Sequence, residues 1–152
     1  MMINITNRAD VHARLEQLKP DSKPVFGIMT AQHMLEHLSY AVMMSNGKRP
    51  QKLYFAKEKA DRIKAHVIHS DLEMPIGFKA PMLTDELPPL VFPDFDTALN
   101  RLKRELSDYD AYLQTNKNAL HIHPTMDVLD DNEWIKFHNK HFTHHFKQFN
   151  LI

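Results

Sequence analysis

Apolar residues recur every three or four positions in the second half of the chain, which is the spacing of one buried helix face. This stripe consists of Phe95, Ala98, Leu99, Leu102, Leu106, Tyr109 and Leu113. Asp94 or Asp96 can accept hydrogen bonds from the free amides of a first helical turn, so either is a suitable N-cap. The pattern predicts a long helix from one of these aspartates to about Gln114.

Two helices are predicted nearer the N-terminus. The first begins at Asn7 or Asp10 and extends to about Lys19, where a proline-containing stretch ends it because proline lacks an amide donor. The second covers residues 31 to about 45, with Thr30 as its N-cap and an Asn-Gly pair as its left-handed stop. A weaker helical segment follows these two, at about residues 55–66.

The middle of the chain shows no steady period of apolar residues. From Val67 to Pro93 the prolines are Pro75, Pro81, Pro88, Pro89 and Pro93. Proline does not fit inside a helix, so we expect a long irregular connection, and such connections usually cover or shape a site. After a predicted loop at residues 121–124, Asp130 or Asp131 opens a last helix that runs almost to the C-terminus. The sequence therefore predicts an all-α fold with four principal helices and one long irregular crossover.

Length, charge and cysteine content exclude several kinds of partner and metal site. The 152 residues suit a single domain, and 19 Lys plus Arg balance 19 Asp plus Glu to give a formal net charge of zero. We therefore expect a small-molecule substrate as the partner, with no nucleic acid and no membrane, in a monomer or homodimer. Because cysteine is absent, any transition metal must be held by nitrogen and oxygen ligands. The N-terminus lacks a signal-peptide pattern, so a cytoplasmic location is expected.

The last predicted helix carries several histidines on its core side. At about 100 degrees per residue, one narrow sector of this helix contains Trp134, His138, His141, His145 and Gln148. His141 and His145 are four residues apart, so their side chains lean to the same side of successive turns and can reach one ion. The spacing also leaves open a pairing of His138 with His141.

A further histidine lies on the second predicted helix. His37 falls in the middle of an apolar face, and His33 lies one turn earlier at its edge. A buried neutral imidazole needs partners for both nitrogens, and a metal ion together with an acceptor beyond it can supply them. A lone histidine on such a face is usually a hydrogen-bonded core residue. The hypothesis of a metal site therefore depends on His37 together with His141 and His145.

Other polar residues receive weaker assignments. The histidines expected at the solvated surface are His12, His66, His69 and His144. Trp134 is expected to pack in the core, and His123 can either approach the site from its loop or serve in packing. Glu36 and Gln148 are candidates for contacts around the site, although a surface role is the stronger expectation for Glu36.

Two stretches resemble the motifs of a known family. Residues 26–38, Phe-Gly-Ile-Met-Thr-Ala-Gln-His-Met-Leu-Glu-His-Leu, resemble the early motif of the DinB-like, or YfiT-like, metal-dependent superfamily. The ending, from His123-Pro124 to the His-x-x-His-His-x-x-Gln-Phe pattern at 141–149, resembles an uncharacterised branch of it. The resemblance thus covers essentially the whole chain, which departs from the branch at Met126-Asp127, where a Phe-Gly-like pair is expected.

The resemblance implies a fold and a class of chemistry. It implies a single-domain four-helix bundle of DinB/YfiT type over residues 1–152, with a metal held by His37, His141 and His145. An open three-histidine site of this kind implies a metal-dependent hydrolase or thiol-dependent transferase acting on a small molecule. The alternative is a non-catalytic bundle protein that binds a metal or another ligand. Imidazole ligands suit several divalent metals, with zinc or nickel preferred and iron or copper as alternatives.

Overall fold

Five α-helices form most of the regular structure in the computed structural model, which describes residues 1–78 and 84–152. The helices are α1 (Arg8–Leu15), α2 (Ala31–Ser45), α3 (Lys57–Val67), α4 (Phe95–Thr115) and α5 (Asp131–Gln148). Two short strands, β1 (His121–His123) and β2 (Asp127–Leu129), pair antiparallel between α4 and α5. The protein is thus mostly helical, as predicted. None of the helices in the described ranges is both long enough and apolar enough to cross a membrane.

The N-caps resolve the alternatives that the sequence left open. Asn7, rather than Asp10, caps α1. Asp94 caps α4, and its carboxylate accepts a hydrogen bond from the Thr97 amide at 2.7 Å. Asp130 caps α5 and forms a capping box with Glu133, whose side chain accepts from the Asp130 amide. Each of these caps satisfies amides that have no partner inside the helix.

The first helix is shorter than predicted. It ends at Leu15 rather than near Lys19, because the chain tightens into turns in which the Leu18 amide donates to the Leu15 carbonyl, three residues earlier. The weak third segment is helical, and only Ala60 of α3 is buried. Val67 ends α3 and so does not belong to the irregular connection, but the rest of the predicted connection is confirmed over its described part, since residues 68–78 and 84–94 contain neither helix nor strand. Pro81 lies outside the described residues.

The core forms where α2 lies between α4 and α5. The buried apolar residues that α4 contributes are Ala98, Leu102, Leu106 and Tyr109, while Phe95, Leu99 and Leu113 pack against them partly buried. The apolar stripe predicted for this helix is therefore the face that packs. A second apolar cluster consists of Ala41, Ile68, Met126, Leu129, Trp134 and Phe137. Trp134 is 1% exposed, in agreement with its expected packing role.

The hairpin corrects the prediction of a loop at residues 121–124. His121 pairs with Leu129 and His123 with Asp127, and Trp134 donates its indole N–H to the His121 carbonyl at 3.3 Å. Strands of three residues are too short to show the alternation that identifies a strand in a sequence. The turn is a tight one, in which the Met126 amide donates to the carbonyl of His123.

Asp127 adopts a left-handed backbone conformation at the end of this turn, with φ of 65°. A left-handed backbone conformation favours glycine, because a Cβ atom is strained there. We therefore expect Asp127→Gly to raise the free energy of unfolding by about 0.5 kcal/mol, after the entropic cost of glycine is subtracted. Urea denaturation would measure the change.

Asp127→Ala is the matched control for this prediction. Asp127 lies 3.8 Å from the amine of Lys57, whose side chain is 69% exposed, and an exposed pair of this kind contributes little. Both variants lose the pair, but only glycine relieves the strain. Equal stability of the glycine and alanine variants would show that backbone strain at Asp127 is not the cause.

Candidate metal centre

Three imidazoles from two helices converge on one point. The Nε2 atom of His141 lies 2.9 Å from that of His37 and 3.2 Å from that of His145. The three ring centroids are each 4.8 Å apart, and the ring planes meet at 69° to 75°. The rings therefore form a nearly equilateral triangle with one nitrogen of each turned inward. Among the described residues, this is the group of three whose ligand atoms lie close enough to hold one metal ion.

The spacing of the nitrogens fits a metal ion. Nitrogens bound at about 2.0 to 2.1 Å, with angles between octahedral and tetrahedral values, lie about 2.9 to 3.4 Å apart. The two observed distances, 2.9 and 3.2 Å, fall in this range. Hydrogen bonds among the three rings suit this arrangement less well, because two N–H groups that both point inward would repel each other. A cation instead accepts all three lone pairs, so the donor set suits a metal.

Helix geometry explains why these side chains meet. His141 and His145 are one turn apart on α5 and project from the same face. His37 lies in the second turn of α2, which packs against α5. The three residues that the sequence analysis named thus lie close together in the fold. His141 and His145 are 7% and 5% exposed, whereas His37 is half-buried.

A glutamine fixes the orientation of His145. The Nδ1 atom of His145 lies 2.8 Å from Oε1 of Gln148, and the Gln148 amide nitrogen donates to the carbonyl of Phe26 at 3.0 Å. Because the amide nitrogen is committed to a carbonyl, its oxygen must accept, and the His145 proton is assigned to Nδ1. The lone pair on Nε2 then points toward His37 and His141, as a metal ligand requires. Gln148 therefore acts on the site through His145, as the sequence had suggested.

Gly27 makes room for this glutamine. Its φ is +76°, and a Cβ atom built on it would lie 2.9 Å from the Gln148 side-chain nitrogen. The loop is also held to the end of α5 by a hydrogen bond from the Val25 amide to the Gln148 carbonyl, at 2.8 Å. The sequence reasoning did not assign a role to Gly27. The signal available was a glycine three residues before the Thr30 N-cap of α2, in a chain with only three glycines.

We expect Gly27→Ala to weaken binding of a divalent metal by about tenfold or more, because partners of ligand histidines typically contribute 10- to 100-fold. The added methyl group would push Gln148 away from His145. Competition with a chromogenic chelator would measure the affinity. Gly77→Ala is the matched control: φ there is +87°, yet nothing lies within 4 Å of the added Cβ. An equal loss of metal affinity in both variants would show that backbone strain alone causes the effect.

Burial keeps the three imidazoles neutral at ordinary pH. It lowers the pKa of His37 to about 4, with a smaller contribution from His144. Burial also lowers the pKa of His141 and of His145 well below the usual value, and the neighbouring imidazoles add to the shift. A neutral imidazole is the form that binds a metal. Burial thus keeps the cluster in the form that can bind a metal.

Three other histidines considered for the site do not join it. His33 contacts the Thr30 hydroxyl at 2.6 Å and the Pro88 carbonyl at 2.9 Å. His123 is buried and accepts a hydrogen bond from the Thr125 amide through Nδ1. His138 contacts the Ser45 hydroxyl at 2.9 Å, which rules out its pairing with His141 in this arrangement.

The prediction that four histidines lie at the solvated surface holds for only some of them. His66 and His69 are exposed, as predicted, whereas His12 is half-buried. His144 is also half-buried, and its ring centroid lies 5.0 Å from that of His145 and 5.2 Å from that of Phe26. The prediction of a solvated His144 is therefore wrong, because the Phe26 loop covers this side of α5.

Glu36 also differs from the expectation of a surface role. It is 6% exposed, and its carboxylate accepts hydrogen bonds from the backbone amides of Val91 and Phe92, at 2.9 Å each. Gln32 donates to it as well, at 3.2 Å. Glu36 thus ties the irregular connection to α2, one residue before His37. Long-range contacts of this kind leave no signal in the sequence of α2 alone.

No protein-family model matches the chain, and neither a curated protein nor a solved structure matches it. Membership of the DinB-like superfamily therefore stays a prediction. What the fold and the site define is a mostly helical protein in which three histidines could hold one metal ion.

Proposed function

We propose that this protein is a metal-dependent enzyme of the DinB-like, or YfiT-like, superfamily, acting on a small molecule as a hydrolase or thiol-dependent transferase. The observation that carries the proposal is the convergence of three Nε2 atoms, from His37, His141 and His145, at metal-like spacing. The four principal helices of the proposed bundle are α1, α2, α4 and α5, with α3 and the irregular connection forming the crossover.

The number of ligands favours an enzyme. Three protein ligands leave coordination positions free, whereas structural sites usually have four. His37 is the one ligand of the three that is half-buried rather than buried, so we expect a small molecule to approach on its side. A divalent metal, with zinc or nickel preferred and iron or copper as alternatives, would supply Lewis acidity toward a carbonyl oxygen or a thiol. The chain's own contribution is to hold neutral ligands in a fixed orientation, which Gln148 does for His145.

The second candidate function is non-catalytic binding of a metal or another ligand. It is favoured by the deep burial of His141 and His145, together with the packing of Phe137 against the His141 ring at 5.0 Å. A structural or storage role would need no approach path for a substrate. The two functions therefore differ in whether a further ligand can reach the metal.

Cobalt substitution tests which function applies. We expect a small thiol to change the visible spectrum of the Co²⁺-loaded protein in a saturable way, because an open position would accept it. A screen of ester, amide and thiol-transfer substrates should then show turnover that His37→Ala abolishes. His66→Ala, which changes an exposed histidine, is the control. A cobalt spectrum that no thiol or small anion alters would exclude the open site and favour the non-catalytic function.

A further inference from the structure

A cavity separate from the metal centre lies beside α2. Its volume is about 220 Å³. The residues that line it are Glu36, Ser39, Tyr40, Met43, Arg49, Val91, Phe92 and Arg101. It thus lies between α2, the turn that follows it, α4 and the irregular connection. None of the three clustered histidines lines this cavity, so its chemistry is separate from theirs.

Hydrogen-bond donors are in excess in this cavity. Arg49 makes no ion pair or hydrogen bond through its guanidinium in the part of the chain that the structure describes, although that group has five N–H donors. Arg101 uses its Nε on Glu105, at 2.7 Å, and one terminal nitrogen on the sulfur of Met43, at 3.7 Å. Further N–H groups of both arginines are available to a ligand.

The Glu36 carboxylate and the Ser39 hydroxyl proton in this cavity are already engaged. The Glu36 carboxylate accepts from the amides of Val91 and Phe92 and from the side chain of Gln32. Ser39 donates its hydroxyl proton to the Leu35 carbonyl at 2.9 Å. Glu36 therefore does not neutralise the guanidinium groups by direct contact. A ligand that brings its own acceptors and a negative charge would complete the site.

The two guanidinium groups are held in place by aromatic rings. The Arg49 guanidinium carbon lies 4.0 Å from the centre of the Tyr40 ring, and the Arg49 amide donates to the Met43 carbonyl at 3.0 Å. The Arg101 guanidinium carbon lies 5.7 Å from the Phe92 ring centre. Stacking on a ring leaves the N–H groups at the edge of the guanidinium free to form a fork for a carboxylate. Less conformational entropy is then lost on binding.

Charge and size define the ligand class. Of the two cationic lining residues, Arg101 is ion-paired with Glu105 at 2.7 Å, whereas Arg49 has no ion pair among the described residues, so one guanidinium charge is left for a ligand. This matches a monoanion better than a phosphate dianion. Met43, Val91 and Phe92 add apolar wall, and about 220 Å³ corresponds to roughly seven water molecules at about 30 Å³ each. We infer that this cavity binds a small organic carboxylate with a short apolar body, independently of the metal centre.

Benzoate is a suitable probe, and benzamide is its neutral counterpart of the same shape. Titration of ¹⁵N-labelled protein should give saturable shifts at the amides of Arg49, Val91 and Phe92 with benzoate. We expect Arg49→Gln to weaken this binding by about tenfold to a hundredfold, the usual effect of losing hydrogen bonds to a charged group. Arg49 is exposed, and its side chain makes no hydrogen bond or ion pair with the described residues, so this variant should fold.

Two control variants test whether benzoate binds in this cavity rather than elsewhere on the protein. Arg104→Gln removes an exposed arginine of α4 that does not line the cavity, and it should leave benzoate binding unchanged. Repeating the titration with His37→Ala excludes a carboxylate bound through a metal, and the affinity should be the same. The inference is overturned if benzamide binds as tightly as benzoate, if inorganic phosphate binds more tightly, if Arg49→Gln has no effect, or if benzoate does not bind.

Discussion

His141→Ala should abolish tight binding of a divalent metal, while the wild-type chain holds about one ion. Metal sites in small proteins bind with about 10 to 16 kcal/mol in total, so each ligand contributes on the order of 3 kcal/mol, or about a hundredfold in affinity. His141 suits this test because its Nε2 lies close to both other inward nitrogens, at 2.9 and 3.2 Å. Elemental analysis of protein purified without a histidine tag would measure the content, and His37→Ala should show the same loss.

The choice of control variants makes this result specific. His138→Ala removes the histidine three residues away that contacts Ser45 instead, and it should keep the metal. His66→Ala removes an exposed histidine and tests non-specific binding. Full metal content in the His141→Ala protein would place any ion elsewhere. No metal in the wild-type chain, even after reconstitution, would leave a histidine cluster without a metal.

Local signals account for the success of the sequence predictions of helices. Thr30, Asp94 and Asp130 cap their helices through hydrogen bonds to amides three residues ahead, so each signal lies within four residues of chain. The stripe of α4 is likewise local, because its period is set by the helix itself. The end of α1 was less predictable. Before Pro20 is reached, the backbone amides already donate to carbonyls three residues earlier instead of four, and the residue types do not change where this happens.

The candidate site was only partly predictable, because several of its contacts join residues that are far apart in the chain. The pairing of His141 with His145 follows from helix periodicity, but the choice between His138 and His145 needed the position of Ser45, 93 residues from His138. The contact of Gln148 with Phe26 spans 122 residues, and it determines the tautomer of His145. The role of Glu36 depends on amides 55 and 56 residues away. Such contacts appear only when the chain is folded.

Lowering the pH from 7 to 5.5 should reduce the free energy of unfolding of the metal-depleted protein by at least about 2 to 3 kcal/mol. Burial lowers the pKa of His123 and of His138 to about 3 in the folded chain. In the unfolded chain both take up a proton near the ordinary value of about 6.5. Protons therefore favour the unfolded state below that pH, by about 1.2 kcal/mol per histidine at pH 5.5. Urea denaturation at the two pH values would measure the loss.

The direction of this effect follows from which state binds more protons. Above about pH 7 both states hold these rings neutral, so stability does not change; it then falls as the pH drops from about 6.5 toward 3. The lowered pKa values of His37, His141 and His145 add to the loss when no metal holds them. His138→Met should reduce the loss between the two pH values by about 1.2 kcal/mol, whereas His66→Gln, at an exposed position, should not. Equal stability at pH 7 and 5.5 would mean that the buried rings take up protons as readily in the folded chain as in the unfolded one.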